Sequence, residues 1–216
     1  MLRIFYRVLF LLFVIAGLRL SAQVSVPPQS RPSEVALWTV GSFMADTQLT
    51  DEEGDYLDVF FEEEPGLGVS FNHYWTDHFS TEVSLMTFRA DLSVGSALIQ
   101  EPVRIGELDG RAVTAMAQWH FRQGARVMPY LAGGIAHIGG TFDPVDDEET
   151  DGGSIDLESN VTWTAAAGLD IRLTDHFLLC LEAKRVPWNA VEEGGSVEDA
   201  IDIDPMLYGS GVRFRF

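Results

Sequence analysis

Residues 161–173 read Val-Thr-Trp-Thr-Ala-Ala-Ala-Gly-Leu-Asp-Ile-Arg-Leu. Val161, Trp163, Ala165, Ala167, Leu169, Ile171 and Leu173 form an unbroken apolar series at every second position. The residues between them are small or polar: Thr162, Thr164, Ala166, Gly168, Asp170 and Arg172. A period of two is the repeat of a β-strand, whose successive side chains point to opposite faces. The stretch therefore reads as a long strand with one greasy face and one polar face. The C-terminal stretch behaves alike. Met206, Tyr208, Val212, Phe214 and Phe216 share one face, and Leu207, Gly209, Gly211, Arg213 and Arg215 share the other.

The same period recurs along the chain and predicts eight strands, over 34–45, 65–76, 79–90, 110–122, 127–142, 159–173, 177–187 and 205–216. No stretch after residue 22 carries a helical stripe or 18 consecutive apolar residues, so no transmembrane helix is expected. Three connections are tight, around Thr76-Asp77-His78, Gln123-Gly124-Ala125 and Thr174-Asp175-His176. Four are long, over 46–64, 91–109, 143–158 and 188–204, and long and short alternate. Thr76-Asp77-His78-Phe79 recurs as Thr174-Asp175-His176-Phe177, which reads as shared turn chemistry with Asp as the local cap.

An up-and-down meander with tight turns at one end and long loops at the other is the plan of a closed barrel. The apolar face carries Trp75, Trp119, Trp163, Phe214 and Phe216, and the opposite face carries charge. A soluble lipocalin-like barrel would put the aromatics inside. An outer-membrane barrel puts them outside, against lipid. The terminal Phe216 on the apolar face and the character of the N-terminus favour the membrane. Residues 1–22 hold Arg3, Arg7 and an apolar run from Val8 to Leu18, ending in Ser21-Ala22. This reads as a secretory signal peptide. Residues 23–33 read as a mobile Pro/Ser leader, and 34–216 as the barrel. The expected location is the outer membrane of a Gram-negative bacterium.

Charge narrows the functional classes. The chain has 33 acidic and 14 basic residues, a formal net charge of −19. Such a surface repels nucleic-acid phosphate. A hydrophobic content of 46% excludes a disordered chain. The single cysteine, Cys180, permits no internal disulfide and no cysteine-built zinc site. Twenty-seven of the acids fall in the four long connections, where Arg104 is the one basic residue. They form a solvated, mutually repelling surface suited to diffuse divalent-cation contact and to bridging toward lipopolysaccharide. They have no EF-hand order, and no metal site or cofactor is expected.

On the polar face, Glu82, Asp170 and Glu182 can pair with Arg172, Lys184, Arg213 and Arg215. Charges pointing into a narrow barrel must be paired, because an isolated buried charge is very costly. These residues are expected to form a charge network that closes the lumen. Ser80 with His78 and Glu82 has the residue types of a hydrolase site but sits at a turn on the periplasmic side, so no catalysis is expected. His73, His120 and His137 lie on different strands, without metal-ligand spacing.

Three stretches resemble the OmpW family of small outer-membrane barrels: Pro129-Tyr130-Leu131-Ala132-Gly133-Gly134-Ile135, Ala167 to Phe177, and Ile203 to Phe216. Gln118-Trp119-His120-Phe121 also fits. The Pro-Pro pair that usually enters that family's fourth strand is replaced here by Leu108-Asp109-Gly110-Arg111. The resemblance implies passive passage or binding of small hydrophobic molecules, with a lateral exit toward the membrane. It also implies that the closing strand, with Tyr208, Phe214 and Phe216, carries the signal read by the barrel-insertion machinery. The expected apolar lining is Trp38, Phe43, Phe88 and Leu207. Trp38 and Phe43 have opposite parity, so the first strand can present only one of them. The competing reading is a structural or surface-interaction barrel with a closed lumen and loops that contact cations or lipopolysaccharide.

Overall fold

The computed structural model describes residues 32–44, 47–50, 56–95, 102–122, 124–145, 153–190, 201–203 and 205–216. The signal peptide and nearly all of the leader lie outside the described residues. So do many loop acids, the run from Asp146 to Asp151 among them. The described residues form strands and no helix. The strands are β1 (Ser33–Phe43), β2 (Thr47–Thr50), β3 (Tyr56–Glu64), β4 (Gly66–Tyr74), β5 (Phe79–Gly95) and β6 (Val103–His120). They continue as β7 (Val127–Pro144), β8 (Ile155–Arg172), β9 (Phe177–Arg185), β10 (Trp188–Ala190), β11 (Ile201–Ile203) and β12 (Met206–Arg215).

Antiparallel pairing runs β1–β4–β5–β6–β7–β8–β9–β12 and returns from β12 to β1. The result is a closed ring of eight staves. Closure reaches the last residue: Ser33 N donates to Phe216 O at 3.1 Å and Phe216 N to Ser33 O at 3.0 Å. A closed barrel leaves no sheet edge, which hydrocarbon would not tolerate.

The long connections differ from the sequence expectation. β5 continues to Gly95, β6 starts at Val103, β7 ends at Pro144 and β8 starts at Ile155. Much of what reads as acidic loop is therefore wall standing above the membrane. The acids remain compatible with a ladder because they alternate with inward apolar residues. Asp91, Glu107 and Asp109 face out, while Ala90, Leu92 and Leu108 are buried. The β9–β12 hairpin also extends, in unchanged register, through β10 and β11.

The second stave is split by Pro65 into β3 and β4. Pairing between the first and second staves stops at Val40↔Gly66 and resumes at Thr47↔Val59. Proline has no N–H to give a ladder. Next to it, the Thr87 hydroxyl takes the ladder's place, accepting from Leu67 N and donating to Leu67 O, both at 3.2 Å.

The two Thr-Asp-His-Phe turns have the same geometry. Thr76 Oγ1 accepts from His78 N and Phe79 N, and Thr174 Oγ1 accepts from His176 N and Phe177 N. The cap is thus threonine and not the expected aspartate, because its hydroxyl lies within reach of the amides two and three residues on. In each turn the histidine clamps the adjacent stave: His78 Nδ1 donates to His120 O at 2.8 Å and His176 Nδ1 to Arg215 O at 3.0 Å. The third turn uses Gly124 at φ 84°, a left-handed conformation in which a Cβ is strained.

Trp75, Trp119, Phe121, Phe214 and Phe216 are all exposed at this turn end. They form the interfacial girdle of an outward apolar band that includes Leu67, Val83, Leu131, Ile135 and Val161.

Candidate functional site

The lumen is lined by the even-numbered residues of nearly every stave. At the turn end the lining is mostly polar, with Met128, Leu178 and Cys180 as buried exceptions. Arg213, fully buried, reaches three carboxylates: Glu34 Oε2 at 3.2 Å, Asp170 Oδ2 at 3.1 Å and Glu82 Oε2 at 2.9 Å. Arg215 grips the other oxygen of Glu34 with Nη2 at 2.6 Å and Nε at 2.7 Å. Lys184 Nζ lies 3.1 Å from Glu182 Oε1 and donates to Ser84 and Thr114 at 3.2 and 3.3 Å. Tyr130 OH donates to Glu182 Oε2 at 2.8 Å. Asn72 Nδ2 bridges to Gln118 Oε1 at 3.2 Å, and Ser80 Oγ lies 2.9 Å from His120 Nε2. These residues are buried together in the lower lumen, and the network they form is termed the plug. Seven charges meet there, so the arrangement stands only with its pairs intact.

Of the residues expected in the network, the structure brings together Glu82, Asp170, Glu182, Lys184, Arg213 and Arg215. Arg172 does not join. It sits half-buried at the mouth, donating to Gly124 O at 3.4 Å and lying 3.9 Å from Met128 Sδ. One turn-side residue too far down its strand, it meets the rim and not the carboxylates. Sequence reasoning missed Glu34, the partner shared by both arginines. Its signal was its parity with Ala36, Trp38 and Val40. The Ser80 hydroxyl pairs with His120, not with His78, which is spent on the backbone of the neighbouring stave.

Above the plug the inward series of β1, β5, β6, β7, β9 and β12 turn mainly apolar, while β8 keeps Thr164 and Asn160. Along β5 the inward series runs Ser80, Glu82, Ser84 and then Met86, Phe88, Ala90, Leu92. Along β9 it runs Glu182, Lys184 and then Val186, continuing to Trp188 on β10. β6 gives Leu108, β7 gives Ile138 and β12 gives Leu207. Trp38 marks the boundary. Its ring lies 5.8 Å from the Arg213 guanidinium, and its Nε1 donates to Ser70 Oγ at 3.0 Å. The upper lumen is thus an apolar region, termed the chamber, that its own side chains occupy.

Trp38, Phe88 and Leu207 point into the chamber. Phe43 does not: it has the outward parity, pairs with the exposed Met206 and is only half-buried, whereas its neighbours Ser42 and Met44 are buried. Trp188, read as loop, is the large lining residue that sequence reasoning missed. It is fully buried, edge-on to Phe88 at 6.4 Å, and its Nε1 donates to Glu158 O at 3.3 Å. Its even parity with Leu178 to Val186, carried past Pro187, was the available signal. Phe88 has room because its cross-strand partner is Gly110. A Cβ there would lie 2.0 Å from the Phe88 ring.

The break in pairing between the first and second staves lies beside this chamber. On the outer surface the Tyr208 ring crosses over Gly41, where a Cβ would come within 2.5 Å of it. Its hydroxyl donates to Glu63 Oε2 on β3 at 3.1 Å. Tyr208 therefore spans the gap from the eighth stave to the second. Phe214 and Phe216 lie exposed on the same lipid-facing side, with ring centroids 6.2 Å apart.

The chain is similar to known outer-membrane proteins. It is 26% identical over 157 residues to an uncharacterised outer-membrane protein, y4mB, of Sinorhizobium fredii. That match covers 70% of this chain and 65% of the relative, a little under two-thirds of the relative's length. The crystal structure of the outer membrane protein OprG from Pseudomonas aeruginosa superposes with a TM-score of 0.66 at 17% identity, over 86% of this chain and 96% of that one. The solid-state NMR structure of the outer membrane protein AlkL gives 0.59 at 19% identity, over 90% and 96%. Both share the fold. The sequence model of the OmpW family matches residues 38–216. The chain is an outer-membrane barrel and belongs to the OmpW family.

Proposed function

We propose that the barrel binds small hydrophobic molecules in the upper chamber and passes them to the membrane through its wall. The carrying observation is the change, along six of the eight staves, from charged and hydrogen-bonded inward residues to mainly apolar ones. An apolar solute gains roughly 25 cal/mol per Å² on leaving water for such a lining. Below that level it would have to break the pairs that hold Arg213, which is far more costly. Movement straight through to the periplasm is opposed, and the way out lies sideways. The interrupted ladder at Gly41–Met44 and Phe60–Pro65 lies beside the chamber, with Tyr208 as the strap across it. The prolines that the family usually carries at its fourth strand are absent, and here Pro65 interrupts the second.

One observation favours the second reading, a structural or surface-interaction barrel. The chamber is packed with its own side chains: Phe88, Ile138 and Trp188 are 0% exposed. Uptake discriminates the two. Cells carrying the barrel should take up a medium-chain fatty acid several-fold faster than cells without it, and Leu108→Asp should abolish the gain. Equal uptake with and without the barrel contradicts transport and leaves the structural role.

A further inference from the structure

The outer wall carries a feature that the transport reading does not use. A hollow of about 390 Å³ lies on the lipid-facing side, lined by Pro65, Leu67, Thr87, Arg89, Asp109 and Arg111. Gly110 and Gly140 also border it and contribute no side chain. It sits where the wall changes from apolar to charged. Below it, Leu67, Leu85, Val113 and Ile135 face outward and are exposed. Above it stand Asp91 and Glu107. This is the level of the outer-leaflet head groups, because the apolar band ends where hydrocarbon ends.

The charges at the hollow are unequal in their commitments. Arg89 Nε binds Asp109 Oδ1 and lies 3.9 Å from Glu107. Arg104 binds Asp91 and lies 3.5 Å from Glu107 Oε2. Glu64 stands opposite Arg89 in the ladder. Arg111 is exposed and makes no hydrogen bond or ion pair among the described residues. It is a free guanidinium at the lower lip of a concavity, with acids above it and hydrocarbon below.

We infer that this hollow seats the phosphorylated head group of an outer-leaflet lipid, with Arg111 holding the phosphate. A guanidinium meets a phosphate with two parallel N–H donors. The acyl chains would continue down over Leu67, Leu85 and Val113, which the belt already presents. Asp91, Glu107 and Glu64 repel an anion from above, so the phosphate is confined to the lip beside Arg111. A soluble phosphate has no use for the apolar half of the site, which commits the occupant to a lipid.

The test is equilibrium binding of bisphosphorylated lipid A to the refolded barrel in dodecyl maltoside micelles, which carry no phosphate, against the same lipid with its phosphates removed. The intact barrel should prefer the phosphorylated form by roughly fivefold, the worth of one cation near an anionic lipid surface. Arg111→Gln should lose that preference, Arg111→Lys should keep most of it, and Arg126→Gln, at the opposite rim, should leave it unchanged. Arg111 is exposed, so folding is not at stake, and heat-dependent gel mobility verifies it. A preference that survives Arg111→Gln overturns the assignment, as does the absence of any preference in the intact barrel. Millimolar inorganic phosphate should not compete. If it abolishes the preference, the site takes soluble phosphate and the lipid assignment falls.

Discussion

The lower and upper halves of the lumen are built from the same alternation on the same strands, yet they do opposite things. The lower half holds Glu34, Glu82, Asp170, Glu182, Lys184, Arg213 and Arg215, and each depends on its partners. The upper half holds Phe88, Leu108, Ile138, Trp188 and Leu207, which are held by packing, with one hydrogen bond from Trp188 to Glu158 O. An ion-paired plug tolerates no deletion, because removing one partner strands the others in a low-dielectric interior. An apolar chamber loses only the transfer and cavity terms of the atoms removed. Rigidity therefore belongs to the base, and adaptability to the top.

The largest expected effect breaks the plug. Arg213→Met strands three carboxylates and should lower stability by about 3–5 kcal/mol in urea unfolding of the micelle-bound barrel. It should also give a steady conductance in planar bilayers where the intact barrel gives none. Next comes the chamber. Leu108→Ala should cost about 2–4 kcal/mol on the same scale, within the range for buried leucine truncations, and should leave the bilayer sealed. A leak from Leu108→Ala as large as that from Arg213→Met would erase the contrast between the halves. A smaller effect falls on the strap between chamber and lipid. Tyr208→Phe removes one hydrogen bond to Glu63, worth about 1 kcal/mol, and should raise fatty-acid uptake by up to about fivefold if that bond holds the exit closed. The smallest effects lie beneath the plug. Thr76→Ala and Thr174→Ala each remove an equivalent turn cap and should each cost about 0.5–1 kcal/mol. Unequal costs would show that the two turns, alike in geometry, differ in load.

The fold was legible because a period of two survives in a single sequence, and the terminal Phe216 and the signal-like N-terminus then chose the outward face for the aromatics. Val161 to Leu173 alone carries the period. The extent of the wall was less legible. Above the membrane the outward residues become acidic, and a run such as Glu62-Glu63-Glu64 looks like loop although it is paired strand. Phe43 shows a related limit, since one residue of slip on the first strand exchanges the faces. The network was readable as a set of residue types but not as partners. Glu34 sits near a leader with no period of its own, and Arg172 matches the charge pattern while its height in the barrel removes it. Trp188 was hidden by Pro187, which ends a strand in most contexts. The turn caps were misassigned because aspartate and threonine serve the same role and only geometry separates them.

The central claim is that an apolar solute rests above the plug and not within or outside it. Intermolecular NOEs from a protonated medium-chain fatty acid to the methyl groups of the barrel, in deuterated lipid nanodiscs, test it most directly. The account predicts contacts to Leu108, Ile138, Val186 and Leu207, and none to Leu178 beneath the plug. Contacts confined to the outward methyls of Leu67, Val83, Leu131 and Ile135 would contradict it.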